Sequence, residues 1–193
     1  MIFKYLKHIS LPYYDGTANW SICPFTGSLL KTSNSEYKHA TIDIPLKVSR
    51  AIECCNQPYL LSLSNEAISP IGNQNLVEKI EKMHNVILKL GNSRFYIIRL
   101  YCSFRHDLFD TTAEAVTNIN SLNLQIELKN ELCLPKSFLA AKISKSFKDC
   151  GVIFIGPHLP TGNMHAWIIE NGTQPDSDDR DWVNYRPLLA FYN

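Results

Sequence analysis

The 193-residue sequence predicts an α+β fold, because segments with helical periodicity alternate with segments typical of buried strands. Six apolar residues recur at helical spacing before Gly91, a natural helix stop: Leu76, Val77, Ile80, Met83, Ile87 and Leu90. Val152 to Ile155 is apolar and rich in β-branched residues, as buried strands are. Hydrophobic residues make up 45% of the chain, which is enough for one or two small domains with a core.

The first 70 residues carry many turn signals, with short strand-like pieces between them such as Trp20 to Cys23 and Thr41 to Ile44. Lys47 to Cys55 is a candidate short helix. The pattern changes to long helical spacing from Asn75 onwards. We therefore expect a small mixed N-terminal domain at residues 1–85 and a second domain at residues 86–193.

Local signals in the second domain set the order of its elements. Thr111 to Glu114 forms a capping box that begins a helix ending near Asn120. Proline is tolerated in the first helical turn, so Pro135 predicts a helix at 136–147 with Cys133 at or just before its N-cap. The buried face of that helix would carry Leu139, Ile143 and Phe147. A strand at 164–170 then ends in Asn171-Gly172, a signal for a tight hairpin turn.

Composition and charge argue against several classes of function. The net charge is +1 and the basic residues are dispersed, whereas nucleic-acid binding needs a basic stripe. No window reaches the roughly 18 uninterrupted apolar residues of a membrane span, and the first residues lack the apolar run of a signal peptide. We expect a cytoplasmic protein with no cofactor, whose six cysteines are reduced thiols, and without the clustered ligands of a zinc site.

Three kinds of reactive side chain follow one another in the last third of the chain. Cys133 precedes the predicted helix, His165 follows 32 residues later on the predicted strand, and Asp176, Asp178 and Asp179 come next. A helix N-terminus and a neighbouring imidazole both favour a thiolate, and a carboxylate would orient the imidazole. Each residue alone also has a structural interpretation, as a small buried thiol, a strand histidine or a solvated acidic loop. Their order favours thiol acyl transfer.

The segment from about Leu132 to Leu189 resembles the transglutaminase-like leader peptidases that mature lasso peptides in bacteria. The resemblance is carried by Cys133-Leu134 with Ser137, Ile155-Gly156, His165-Ala166-Trp167, Asn171-Gly172 and the closing Tyr185-Arg186-Pro187-Leu188-Leu189. It covers about one third of the chain. It implies a transglutaminase-like or papain-like cysteine peptidase core behind a small winged-helix-like domain that binds the leader as an added strand.

The resemblance also implies roles for individual residues. Cys133 would be the nucleophile, His165 the general base and acid, and Asp176 or Asp178 the orienting carboxylate. Position upstream of the thiol alone makes Gln125 or Asn130 a candidate for stabilising the oxyanion. The implied substrate is a ribosomally made precursor peptide, and the implied partner is an ATP-dependent lasso cyclase. Two other functions remain open: an amidase or acyltransferase acting on another peptide, and a non-catalytic module that binds a peptide.

Overall fold

The computed structural model describes residues 6–33, 43–56, 62–63, 73–91, 98, 101–102, 106–122, 133–158, 161–176 and 184–193. It confirms a mixed α+β architecture. The helices are α1 (Leu46–Asn56), α2 (Gln74–Gly91), α3 (Thr112–Ser121), α4 (Cys133–Ile143) and α5 (Phe147–Cys150). The strands are β1 (Lys7–Ser10), β2 (Tyr13–Tyr14), β3 (Ala18–Ile22), β4 (Leu29–Ser33), β5 (Ser62–Leu63), β6 (Gly151–Pro157), β7 (Met164–Glu170), β8 (Thr173–Gln174) and β9 (Leu189–Tyr192).

The larger sheet joins the two ends of the chain. Its strand order is β1-β9-β6-β7-β8-β5, and every pairing is antiparallel except that of β5 with β8. A second antiparallel sheet has the order β2-β3-β4. Residue 85, the expected end of the N-terminal domain, lies inside α2, and β1 belongs to the larger sheet. Among the described parts of residues 1–85, only β2, β3 and β4 form a sheet of their own.

The larger sheet carries a different core on each face. Ala166 and Ile168 of β7 belong to the larger cluster, which also contains buried residues of α2, α3 and α4. Trp167 and Ile169 belong to the smaller cluster, together with Val48 and Ala51 of α1. Side chains alternate between the faces of a strand, so β7 separates a helical layer of three helices from α1. Burial of each large apolar side chain contributes about 1.5–3 kcal/mol.

Helix α4 lies in the centre of the helical layer, and its bounds differ from the expected 136–147. It begins at Cys133 itself and ends at Ile143. It ends early because the Ile143 carbonyl accepts hydrogen bonds from the N–H groups of Leu108 and Phe109, which replace the next helical turn. Leu139, Ile143 and Phe147 are fully buried as expected, but Phe147 belongs to α5 and not to the helix of the other two. Among the described helices, none combines the length and the apolar character needed to cross a membrane.

Candidate functional site

The predicted nucleophile stands at the start of the central helix. Cys133 is the first residue of α4, it is half-buried, and it packs against the larger core cluster. Pro135, the third residue, costs no hydrogen bond there because the first turn of a helix has no acceptors for its N–H groups. Cys133 therefore occupies a helix N-terminus, a position where the helix dipole carries partial positive charge.

Two contacts bring the other predicted segments to this helical turn. The Ser137 hydroxyl donates a hydrogen bond to the carbonyl oxygen of Ala166, the residue after His165, over 3.4 Å. Lys136 forms an ion pair with the carboxylate of Asp176, which also accepts a 3.4 Å hydrogen bond from the side-chain amide of Asn120. Ser137 lies one helical turn beyond Cys133 and therefore on the same side of α4. The backbones of all three predicted segments thus meet around the start of α4.

The imidazole of His165 points to the opposite face of the sheet. Its ring stacks on Trp167 with a centroid separation of 5.9 Å and an interplanar angle of 8°. It also lies 4.6 Å from the ring of Tyr185. Trp167 belongs to the cluster beneath α1, whereas Cys133 packs against the cluster on the helical side. The structure therefore brings Cys133 and the His165 backbone to one place and turns the His165 ring away from the face that carries the thiol.

Of the two candidate carboxylates of the predicted triad, Asp176 and Asp178, only Asp176 lies in the described residues. Asp176 is half-buried at the helical side, and Lys136 and Asn120 already contact it. Asp178, the alternative, lies outside the described residues, as do the suggested oxyanion residues Gln125 and Asn130. Within the described ranges, no three His, Cys, Asp or Glu side chains come together as a possible metal site.

Sequence reasoning missed the role of Tyr185 beside the site. Its ring lies 5.2 Å from His158 and 6.2 Å from Trp167, in addition to its contact with His165. An isolated antiparallel bridge pairs its backbone with that of His158. Tyr185 belongs to the closing segment that carries the resemblance, but nothing in the sequence assigns it a contact with His165. Only the folding of the chain end back onto β6 reveals its contact with His165.

The remaining thiols divide into two groups by their surroundings. Burial raises the pKa of Cys55 and of Cys102 to about 12, and burial with the nearby carboxylates of Glu170 and Asp149 raises that of Cys150 to about 11. Cys54 shares with Cys150 a pocket of about 460 Å³ between α1 and the turn after β7, and burial raises its pKa as well. Among these five thiols only Cys23 has a lowered pKa, because the Thr26 hydroxyl and the N–H groups of Phe25 and Thr26 hydrogen-bond to its sulfur.

Comparison of the chain with protein-family models, with curated proteins and with solved structures found no match in any of the three.

Proposed function

We propose that the chain is a cysteine peptidase of the transglutaminase-like type. Cys133 would act as the nucleophile, His165 as the general base and acid, and Asp176 or Asp178 as the carboxylate that orients the imidazole. The observation that carries this proposal is the hydrogen bond between Ser137 and Ala166, one helical turn from Cys133 and one residue from His165. It supports a site in which a thiol at a helix start faces the beginning of a neighbouring strand.

The proposed reaction proceeds in two steps. The thiolate of Cys133 attacks the carbonyl carbon of a peptide bond, and the C–N bond breaks as His165 gives a proton to the leaving amine. Water then attacks the acyl-thioester, loses a proton to His165 and releases the acid and the free thiol. Both proton transfers require the imidazole within hydrogen-bond reach of the sulfur. The reaction therefore requires the His165 ring to leave its stack on Trp167 and turn to the face of Cys133.

The proposed substrate is the leader of a ribosomally made precursor peptide. Among the described strands, β4 pairs only with β3, so one of its edges offers backbone groups for an added strand. Leu29 and Leu30 of β4 are 41% and 45% exposed and would give an extended peptide apolar contacts. A leader added along β4 would use main-chain hydrogen bonds for affinity and these side chains for selectivity. We place this reaction in the cytoplasm, with a lasso cyclase as the partner that acts after it.

The direct test uses a short precursor peptide encoded beside the gene of this protein. Purified protein is incubated with the peptide and the products are weighed by mass spectrometry. Wild type is expected to separate leader from core, and Cys133→Ala is expected to keep the fold and lose cleavage. Cys150→Ala is the matched control, because it also removes a half-buried thiol and should cleave at the wild-type rate. Cleavage at the wild-type rate by Cys133→Ala would refute the proposed nucleophile.

A second candidate function is a peptide-binding module without catalysis. Two observations favour it: the His165 ring stacks on the face opposite to Cys133, and Asp176 is paired with Lys136. The two functions differ in the reactivity of Cys133. In a peptidase, the imidazole assists the thiol, and alkylation by iodoacetamide is already fast near pH 6–7. In a binding module, the thiol is unassisted, and the alkylation rate rises steeply toward pH 9.

A further inference from the structure

We infer that Tyr185 is a positioning residue that holds the His165 imidazole on the face of the sheet opposite to Cys133. The inference rests on the proposed function, in which His165 serves Cys133. The rings of His165, Trp167 and Tyr185 are in mutual contact, with centroid separations of 5.9 Å, 4.6 Å and 6.2 Å. Aromatic pairs at such separations each contribute about 0.5–1.5 kcal/mol beyond the burial of their area. Tyr185 therefore completes a cluster of three side-chain rings. The imidazole must leave this cluster before it can accept a proton from the thiol.

The backbone around Tyr185 is fixed against β6 directly beside His165. The N–H of Arg186 donates to the carbonyl of Pro157 over 3.0 Å, and the N–H of Leu188 donates to that of Ile155 over 2.9 Å. The Arg186 carbonyl rests on Gly156, where an added Cβ would lie 1.6 Å from that oxygen. Gly156 is the register partner of His165 in β7. The glycine thus allows the chain to run close beside β6, where the Tyr185 ring reaches the imidazole.

The same segment contacts the sheet to which we assign leader binding. The Arg186 guanidinium lies 4.7 Å from the centroid of the Tyr13 ring. Tyr13 belongs to β2 and pairs with Trp20 of β3, and β3 pairs in turn with β4. A peptide that shifts this small sheet would move Arg186 and hence its neighbour Tyr185. This continuous set of contacts couples leader binding to the position of the imidazole, so that Cys133 gains its base when substrate is present.

The change of face would take place at the start of β7. Met164 pairs with Pro157 and His165 pairs with Gly156 at the end of the β6–β7 ladder. The N–H of His158 donates a 2.7 Å hydrogen bond to the carbonyl of Asn163 beyond these pairs, and the Pro157 carbonyl accepts from Arg186 on the other side of β6, so the missing N–H of Pro157 takes no hydrogen bond from the β6–β7 ladder. Rotation of the backbone at Met164 and His165 therefore has to break hydrogen bonds at this end of the ladder. That rotation would exchange the faces of the two side chains, because successive side chains on a strand point in opposite directions.

The test compares Tyr185→Ala with the conservative variant Tyr185→Phe in the full chain. Two quantities are measured: the NMR shifts of the His165 ring, and the pH profile of Cys133 alkylation by iodoacetamide. We expect Tyr185→Phe to match wild type in both. We expect Tyr185→Ala to shift the His165 signals and to raise the alkylation rate of Cys133 at pH 7 about tenfold.

Two results would overturn the inference. One is an unchanged set of His165 signals in Tyr185→Ala, and the other is a shift of those signals with no change in the alkylation profile of Cys133. If Tyr185→Ala fails to fold, Tyr185→Leu replaces it, since leucine fills much of the space without a flat ring. Precursor cleavage by Cys133→Ala would remove the proposed function but would leave the His165 shift in place, so the two failures are distinguishable.

Discussion

The hydroxyl of Thr112 donates a 2.6 Å hydrogen bond to the carboxylate of Glu170. The same carboxylate oxygen accepts a 2.7 Å hydrogen bond from Ser146, and the Ser144 hydroxyl lies 2.9 Å from that of Thr112. Thr112 begins α3, Glu170 ends β7, and Ser146 precedes α5. This network joins the helical layer to the sheet at the end of β7 remote from His165. It fixes one end of the strand while the other carries the candidate site.

Replacement of Thr112 by valine should destabilise the protein by about 1–3 kcal/mol, because a fully buried donor to a charged acceptor is lost without a change in shape. Urea unfolding followed by circular dichroism gives the free energy of unfolding. Asp110→Asn is the control, since Asp110 pairs with Lys145 at 3.7 Å in an exposed ion pair, and such pairs contribute about 0–1 kcal/mol. Equal effects of the two substitutions would contradict the assigned importance of the network.

The start of α3 offers a second measurable contribution to stability. The Thr111 side chain accepts a hydrogen bond from the N–H of Glu114, and the Glu114 carboxylate accepts one from the N–H of Thr111. Thr111→Ala should lower the free energy of unfolding by about 1 kcal/mol, because it leaves a helix N–H without its acceptor. Thr117→Ala, in the middle of the same helix, should cause no loss, since alanine is the better helix former. A loss at Thr117 as large as that at Thr111 would count against the cap.

Elements specified by neighbouring residues could be predicted from the sequence. The apolar spacing before Gly91 predicted α2, and the strand expected at 164–170 is β7 without a change of bounds. Asn171 and Gly172 both have positive φ, 51° and 72°, as the two-residue hairpin turn requires. The end of α4 could not be predicted in this way, because Leu108 and Phe109, distant in sequence, supply the N–H groups that stop it.

The sequence predicted the order of the candidate residues along the chain but not the face of the sheet on which the His165 side chain lies. Pro135 predicted a helix at 136–147 with Cys133 at or just before its N-cap, and α4 begins three residues earlier, at Cys133 itself. The face of His165 could not be inferred, because Ala166, Trp167, Ile168 and Ile169 are all apolar and buried. With apolar residues on both sides of β7, alternation shows that two cores exist but does not show which of them meets α4. That assignment depends on the packing of α1 and of the chain end.

A buried histidine makes the stability of the protein sensitive to acid. His84 of α2 is 2% exposed, its Nδ1 has no hydrogen-bond partner among the described residues, and burial lowers its pKa. Below its ordinary pKa of about 6.5, the unfolded chain binds a proton that the folded protein does not bind, so stability falls as the pH falls.

We therefore expect wild type to lose stability between pH 6.5 and 5 relative to His84→Phe, by at most about 1.4 kcal/mol per pH unit. The measurement is the free energy of urea unfolding for both proteins at several pH values. The difference between the two curves removes the contributions of the other titrating groups. A constant difference across this range would show that His84 takes up its proton equally well in the folded state.

The thiols outside the site should react with iodoacetamide at widely different rates. Cys150, with a pKa of about 11, should react roughly a hundredfold more slowly at neutral pH than a thiol of ordinary pKa 9, because its thiolate fraction is lower by that factor. Cys54 should also react slowly, whereas Cys23 should react fast, since hydrogen bonds from Thr26 and Phe25 lower its pKa.

Mass spectrometry of peptides from briefly alkylated protein measures these rates residue by residue. Thr26→Val removes the hydroxyl that contributes most to the lowered pKa of Cys23 and should slow alkylation of Cys23 without changing that of Cys54. Alkylation of Cys23 as slow as that of Cys150 in wild type would contradict the assigned surroundings of both thiols. Since Cys23 is activated by its own loop, Cys54 and Cys150 are the proper references for any enhanced reactivity of Cys133.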